Sequence, residues 1–137
     1  MSKNSPQTSS KKLGSSVVLV VEDELFLRCD LADCLREAGW VVMEAASADH
    51  AMGVCKDGMA VHILITDIQL NGSAASGWDV AEAFRAVWSD VAVIYTSADS
   101  HDRTRSVPNS VHFNKPYRPT DVVRACQQLV ASPGSSQ

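Results

Sequence analysis

The chain has 137 residues, 45% of them apolar and 20% charged, with a formal net charge of −4. At roughly 150 residues per domain this is one folded domain, and the composition excludes disordered and fibrous classes. Lys3, Lys11 and Lys12 lie in the first 16 residues, and the rest carries nine basic and sixteen acidic side chains, a net of −7 that repels a phosphate backbone, so no direct nucleic-acid ligand is expected.

Residues 1–16 (MSKNSPQTSSKKLGSS) are polar and Ser-rich, lacking the apolar centre of a signal peptide or anchor, and read as a flexible tail. The first strand is VVLVV at 17–21, apolar at every position as a parallel strand covered on both faces should be. At strand length it is far too short to span a membrane, and none is expected. A helix from Leu25 to Ala38 follows, with Leu27, Leu31, Cys34, Leu35 and Ala38 on one face and Gly39 as its stop. WVVMEA (40–45) is the second strand, and Ser47 caps a helix over Ala48–Lys56.

His62–Thr66 (HILIT) is the third strand, followed by a loop of small residues. A helix from Trp78 to Trp88 turns Val80, Phe84, Val87 and Trp88 inward, and VAVIYT (91–96) is the fourth strand. Residues 100–109 (SHDRTRSVPN) show no apolar period, so a fourth helix there is short or absent. SVHFN (110–114) is the last strand. The last helix spans Thr120–Ala131 with Val122, Cys126, Leu129 and Val130 inward, before a flexible tail at 132–137 (SPGSSQ).

Strands alternating with helices predict an α/β domain over 17–131, a flavodoxin-like three-layer sandwich around a parallel five-stranded sheet of order 2-1-3-4-5. Cys29, Cys34, Cys55 and Cys126 form no CxxC pair and have no His at ligand spacing, so they read as reduced core thiols of a cytoplasmic protein.

Ligands in such a sheet sit beyond the carboxyl ends of the strands, at the switch point between the first and third. Glu22, Asp23 and Glu24 follow the first strand, Asp67 the third, Thr96 and Ser97 the fourth, and Lys115 and Pro116 the fifth. Asp23, Asp67 and Glu22 crowd like charges, so at least one carboxyl pKa should rise unless a cation neutralises them. Oxygen ligands with open positions suit Mg²⁺, which takes one or two carboxylates plus waters and phosphate. The Ser97 hydroxyl and Lys115 ammonium then face the anion, and the set reads as a phosphoryl-transfer site. Asp67, alone at a central strand tip, is the better nucleophile, whereas Asp23 shares its turn with other acids and looks like a metal ligand. Asp23 is also a residue type favoured at a helix N-cap, and Glu24 suits the first turn of the helix dipole.

Taken in order, VLVVEDE (18–24), ILITDIQL (63–70), VIYTSA (93–98) and NKPY (114–117) resemble the receiver domains of two-component response regulators. The resemblance implies that Asp67 accepts a phosphoryl group from a histidine kinase or histidine phosphotransfer protein. It implies Mg²⁺ held by Asp23, Asp67, the backbone carbonyl of Gln69, and Glu22 directly or through water. Ser97 becomes the switch hydroxyl, Lys115 pairs with the phosphoryl group, and the Lys115–Pro116 bond is cis.

Asn71 stands where the family commonly has Pro, the loop to Gly77 runs about two residues longer, and the stretch between Ala98 and Lys115 is some four residues shorter. His112 takes the place of the usual Tyr or Phe switch ring, while Gln69 and Asp99 occupy the two positions that tune water access. The expectation is a stand-alone receiver that is not an enzyme and that switches a face for an output partner on another chain. The rivals are a phosphorylation-independent interaction module and a Mg²⁺-dependent phosphatase, the latter disfavoured because DIQL (67–70) lacks a second acid two residues after Asp67.

Overall fold

The computed structural model describes residues 16–98 and 103–135, with side chains through 130. Its elements are β1 (Val17–Val21), α1 (Leu25–Glu37), β2 (Val41–Ala45), α2 (Ala48–Lys56), β3 (Ile63–Asp67), α3 (Gly77–Val87), β4 (Ala92–Ser97), β5 (Val111–Asn114) and α4 (Pro119–Ser135). All five strands are parallel, in the expected order β2-β1-β3-β4-β5.

Side chains alternate across the sheet, so one run of valines feeds two cores. Val18 and Val20 join Ile63, Ile65 and Ile94 beneath Leu31, Leu35, Val122 and Cys126 of α1 and α4. Leu19 and Val21 join Leu64, Val93 and Tyr95 beneath Ala51, Val54, Val80 and Phe84 of α2 and α3. Each fully buried Leu, Ile or Val contributes roughly 1.5–3 kcal/mol, which is why both faces of the sheet are covered.

Caps set the helix ends. Ser47 accepts the His50 N–H at 3.1 Å, and Ser76 and Asp79 form a reciprocal capping box at the start of α3. Helix α1 begins on Glu24 with no side-chain cap, which leaves Asp23 outside the helix and its carboxylate out of the cap. Gly39, at φ +100°, ends that helix as expected.

Several expectations need correction. Ala38, Val87 and Val130 are exposed rather than inward. Ala38 and Val87 lie on the buried side of their helical wheels but at the last turn, and Trp88 leaves the helix in an extended conformation to pack on Phe84 at 5.8 Å. Val130 is on the buried side as well, between Val122 and the buried Val123 on the wheel at 3.6 residues per turn, but it stands about two turns further along α4 and is exposed there. Helix α4 runs through Ser135, past its expected end at Ala131; of the expected tails, residues 1–15 and 136–137 lie outside the described residues. Of the four cysteines, Cys55 and Cys126 are buried in the two cores and Cys34 packs against one, whereas Cys29 is half-buried outside both; burial pushes Cys126 up to about 12.

Between β4 and β5 the described residues hold one 3-10 turn, Arg103–Arg105, in place of a helix. Side chains clamp this short segment to α3 and β4. Arg105 meets Asp79 at 3.0 Å and Glu82 at 2.8 Å, and Arg85 donates to the carbonyls of Val91 and Pro108, both at 2.7 Å. The buried Tyr95 hydroxyl accepts the Val107 N–H at 3.1 Å. Tyr95→Phe is expected to lower the unfolding free energy by about 1–3 kcal/mol, because it strands that buried donor. Equilibrium denaturation at neutral pH reads this directly.

Candidate functional site at the carboxyl ends of β1, β3 and β5

The central strands end in acids because each apolar run stops where the chain leaves the sheet. Strand β3 ends on Asp67, whose Cα pairs with Thr96 of β4, and β1 ends one residue before Glu22. Carboxylate oxygens of Glu22, Asp23 and Asp67 lie within 4.8 Å of one another. Glu22 and Asp67 are buried and Asp23 half-buried.

Lys115 enters from the end of β5, held by its N–H to the Ser97 carbonyl at 2.7 Å and by a cis bond to Pro116. Its ammonium lies 2.9 Å from Asp67 Oδ2 and 2.8 Å from Glu22 Oε1. The first contact is a directed hydrogen bond; the second is an ion pair, and the Lys115 ammonium is the partner described for the buried Glu22 Oε1.

One ammonium among three carboxylates leaves two formal negative charges. Burial pushes the Asp67 and Glu22 carboxyls above their ordinary range, against the opposing pull of Lys115, and repulsion from Asp23 adds to Asp67 as repulsion from Asp67 adds to Glu22. Burial alone would lower Lys115, but its bonds to Asp67 and Glu22 outweigh that and keep it charged. One ammonium thus faces three carboxylates, and it contacts Glu22 and Asp67. A hard divalent cation matches the surplus charge and the carboxylate oxygens of Glu22, Asp23 and Asp67. The residues present fit Mg²⁺.

The loop after β3 folds back over the site. Gly77 donates its N–H to Ile68 at 2.8 Å, Asn71 donates its N–H to Asp23 Oδ2 at 3.1 Å, and the Ser73 hydroxyl accepts the Ala48 N–H at 3.1 Å. Gln69 and Asn71 line the same pocket as Glu22, Asp23, Asp67 and Lys115. A more apolar hollow at the opposite end of the sheet, beside His62, Trp88 and Leu129, contains none of these carboxylates.

The sequence matches the model of the response regulator receiver domain over residues 18–126. The chain belongs to that family. A response regulator receiver protein from Sinorhizobium medicae WSM419 is 27% identical, with a TM-score of 0.80 over 85% of this chain and 94% of that one. The chemotaxis response regulator CheY4 of Vibrio cholerae shares the fold at 20% identity and TM-score 0.71, over 84% of this chain and 98% of that one. So does a CheY-like receiver domain protein from Methanospirillum hungatei JF-1, at 16% identity and TM-score 0.77, over 89% and 99%. No curated protein matches.

Receiver domains are signalling modules of two-component systems, and the acidic cluster fits their phosphorylation site. In this receiver the expected Glu22, Asp23, Asp67, Gln69 and Lys115 converge on one pocket. Ser97 is buried at the end of β4 beside that pocket, which Ala98 lines. His112 lies elsewhere: its ring stacks 4.9 Å from Tyr95, and its Nε2 is 2.9 Å from the Ser106 hydroxyl. Burial, with help from Arg103, holds its pKa below the usual range. Asp99 lies outside the described residues. His62 is structural, accepting the Val17 N–H at 2.9 Å, and Trp78 is core, 4.7 Å from Tyr95.

Sequence reasoning passed over Arg28, whose guanidinium bonds the Glu22 carbonyl. The available signal was Glu44, a charge inside the otherwise apolar strand VVMEA, which asks for a basic partner nearby.

Proposed function

We propose that this receiver is a phosphorylation switch whose acceptor is Asp67 and whose donor is a histidine kinase or histidine phosphotransfer protein. The observation that carries this is Lys115 bridging Asp67 and Glu22 inside a cluster of three carboxylates, a site with an acceptor oxygen, a fixed cation and surplus negative charge. Glu22, Asp23, Asp67 and the Gln69 carbonyl would hold Mg²⁺, which when bound offsets charge on the phosphoryl oxygens.

Asp67 supplies the nucleophile: one carboxylate oxygen bonds to phosphorus as the donor's P–N bond breaks. Lys115 stays protonated throughout and holds an oxygen of the transferred group, a fixed charge needing no rearrangement. Ser97, at the end of β4, offers its hydroxyl to the same group, and Gln69 and Asp99 govern the approach of water. The added charge then shifts the population between two arrangements of a partner-binding face for an output protein.

Intact-mass analysis after incubation with Mg²⁺ and acetyl phosphate tests this. One added phosphoryl group is expected, absent from Asp67→Asn and from a metal-free sample. No adduct in any sample would instead favour an interaction module that works without phosphorylation.

A further inference from the structure

We propose that Arg28, backed by Glu44, is a positioning residue for the metal-binding end of the site; this rests on the function proposed above. Glu22 and Asp23 occupy a turn after β1, where the Glu24 side chain gives α1 no cap and the Glu24 N–H donates to Glu22 Oε2 at 2.9 Å. The Glu22 peptide is nevertheless gripped on both sides. Its N–H donates to the Ala45 carbonyl at 3.0 Å, and its carbonyl accepts from Arg28 Nη1 at 3.0 Å.

Arg28 is itself anchored: Nε donates to Glu44 Oε1 at 3.2 Å. The other Glu44 oxygen is taken by Arg36 at 3.1 Å, and Arg36 also reaches the Val42 carbonyl at 3.2 Å. The Arg28 and Glu44 side chains are only 15% and 26% exposed. Removing such a pair from water offsets most of its attraction, so stability alone would be served as well by two apolar side chains of similar volume.

What an apolar pair cannot provide is direction. The guanidinium is a rigid planar fork, so one donor on a β2 carboxylate fixes where the other points. The result is a strut from the edge strand to the peptide that carries Glu22 and precedes Asp23. None of the hydrogen bonds or ion pairs described for Arg28 involves the carboxylates of Glu22, Asp23 or Asp67, so it acts through the turn.

Mg²⁺ titration of the whole chain by calorimetry, with ¹H–¹⁵N NMR of the metal-free protein, tests the strut. Arg28→Met keeps the aliphatic stem and removes both bonds; it is expected to weaken Mg²⁺ binding about 10- to 100-fold, the usual consequence of losing an outer support of a metal site. The Glu22 and Asp23 amide signals should move with it. Arg36→Met cuts the other bond to Glu44 without touching the turn, and should bind Mg²⁺ as the wild type does, whatever happens to its melting temperature.

Wild-type affinity in Arg28→Met, or equal weakening in both variants, would overturn the proposal, the second by reducing Arg28 to general support of β2. Should Arg28→Met fail to fold, Arg28→Lys carries the test. It keeps the charge but cannot span both acceptors, and wild-type affinity there would likewise overturn the strut. A wild-type chain that binds no Mg²⁺ would overturn the proposed function itself, and this inference with it.

Discussion

Gly77→Ala is expected to destabilise the protein by about 3 kcal/mol or more and to abolish Mg²⁺ binding at concentrations that saturate the wild type. A Cβ on Gly77 would lie 2.1 Å from the Asp67 carbonyl oxygen and 2.9 Å from the Ile68 Cα, both backbone atoms that no rotamer change can move aside. Relief requires shifting either the start of α3 or the tip of β3, and the tip of β3 is Asp67. The Gly77 N–H bond to Ile68 would be lost in the same movement. Gly72→Ala is the comparison: at φ +79° it is strained, but the space around it is open. It should cost only about 1 kcal/mol and leave the metal affinity intact. Denaturant midpoints and calorimetric titration of the two variants separate a clash at the acceptor from ordinary loop strain.

Charge at the site should produce opposite effects at its two poles. Lys115→Met leaves Glu22, Asp23 and Asp67 without their ammonium and is expected to cost roughly 3 kcal/mol at neutral pH without metal, as when one partner of a buried pair is removed. Asp67→Asn should do the reverse and stabilise the metal-free protein by roughly 0.5–2 kcal/mol.

The sign follows from burial. The folded-state pKa of Asp67 is raised, so folding binds a proton between the ordinary carboxylate value and that raised value. Stability is lost as pH rises through this window, and the penalty persists above it. The gain in Asp67→Asn should therefore grow as pH rises through that window, be complete above the raised value, and vanish below about pH 4, the ordinary carboxylate range. Mg²⁺ should reverse the ranking. At 100 times its Kd it adds about 2.7 kcal/mol to the wild type, and far less to a variant lacking a ligand. Thermal melts across pH, with and without Mg²⁺, read all three effects. A metal-free Asp67→Asn less stable than wild type at neutral pH would mean that the Lys115 pair outweighs burial.

Much of this site was legible in the residues themselves. VVLVV and ILIT must be covered on both faces, and helices of period 3.6 between them leave few arrangements other than a parallel sheet. Once that sheet is accepted, Asp23, Asp67 and Lys115 fall at its carboxyl edge, because an acid or lysine after an apolar run marks where the strand ends. The capping residues Ser47 and Gly39 were readable for the same local reason: they act on backbone groups within a few residues of themselves.

The tertiary structure alone decided whatever depends on segments distant in the chain. Arg28 and Glu44 are 16 residues apart and meet only because β2 lies beside β1, so the strut has no periodic signature. Gly77 reads as one more loop glycine until Asp67 and Ile68 are seen against it. His112 sits near the lysine in sequence, yet the alternation of β5 turns its ring toward Tyr95 and Ser106. Ala38 and Val87 satisfy the helical period and are still exposed, because the wheel says which side a residue faces and not whether the sheet extends beneath it. Local sequence determines conformation and the face a residue presents; what lies opposite that face is settled only by packing.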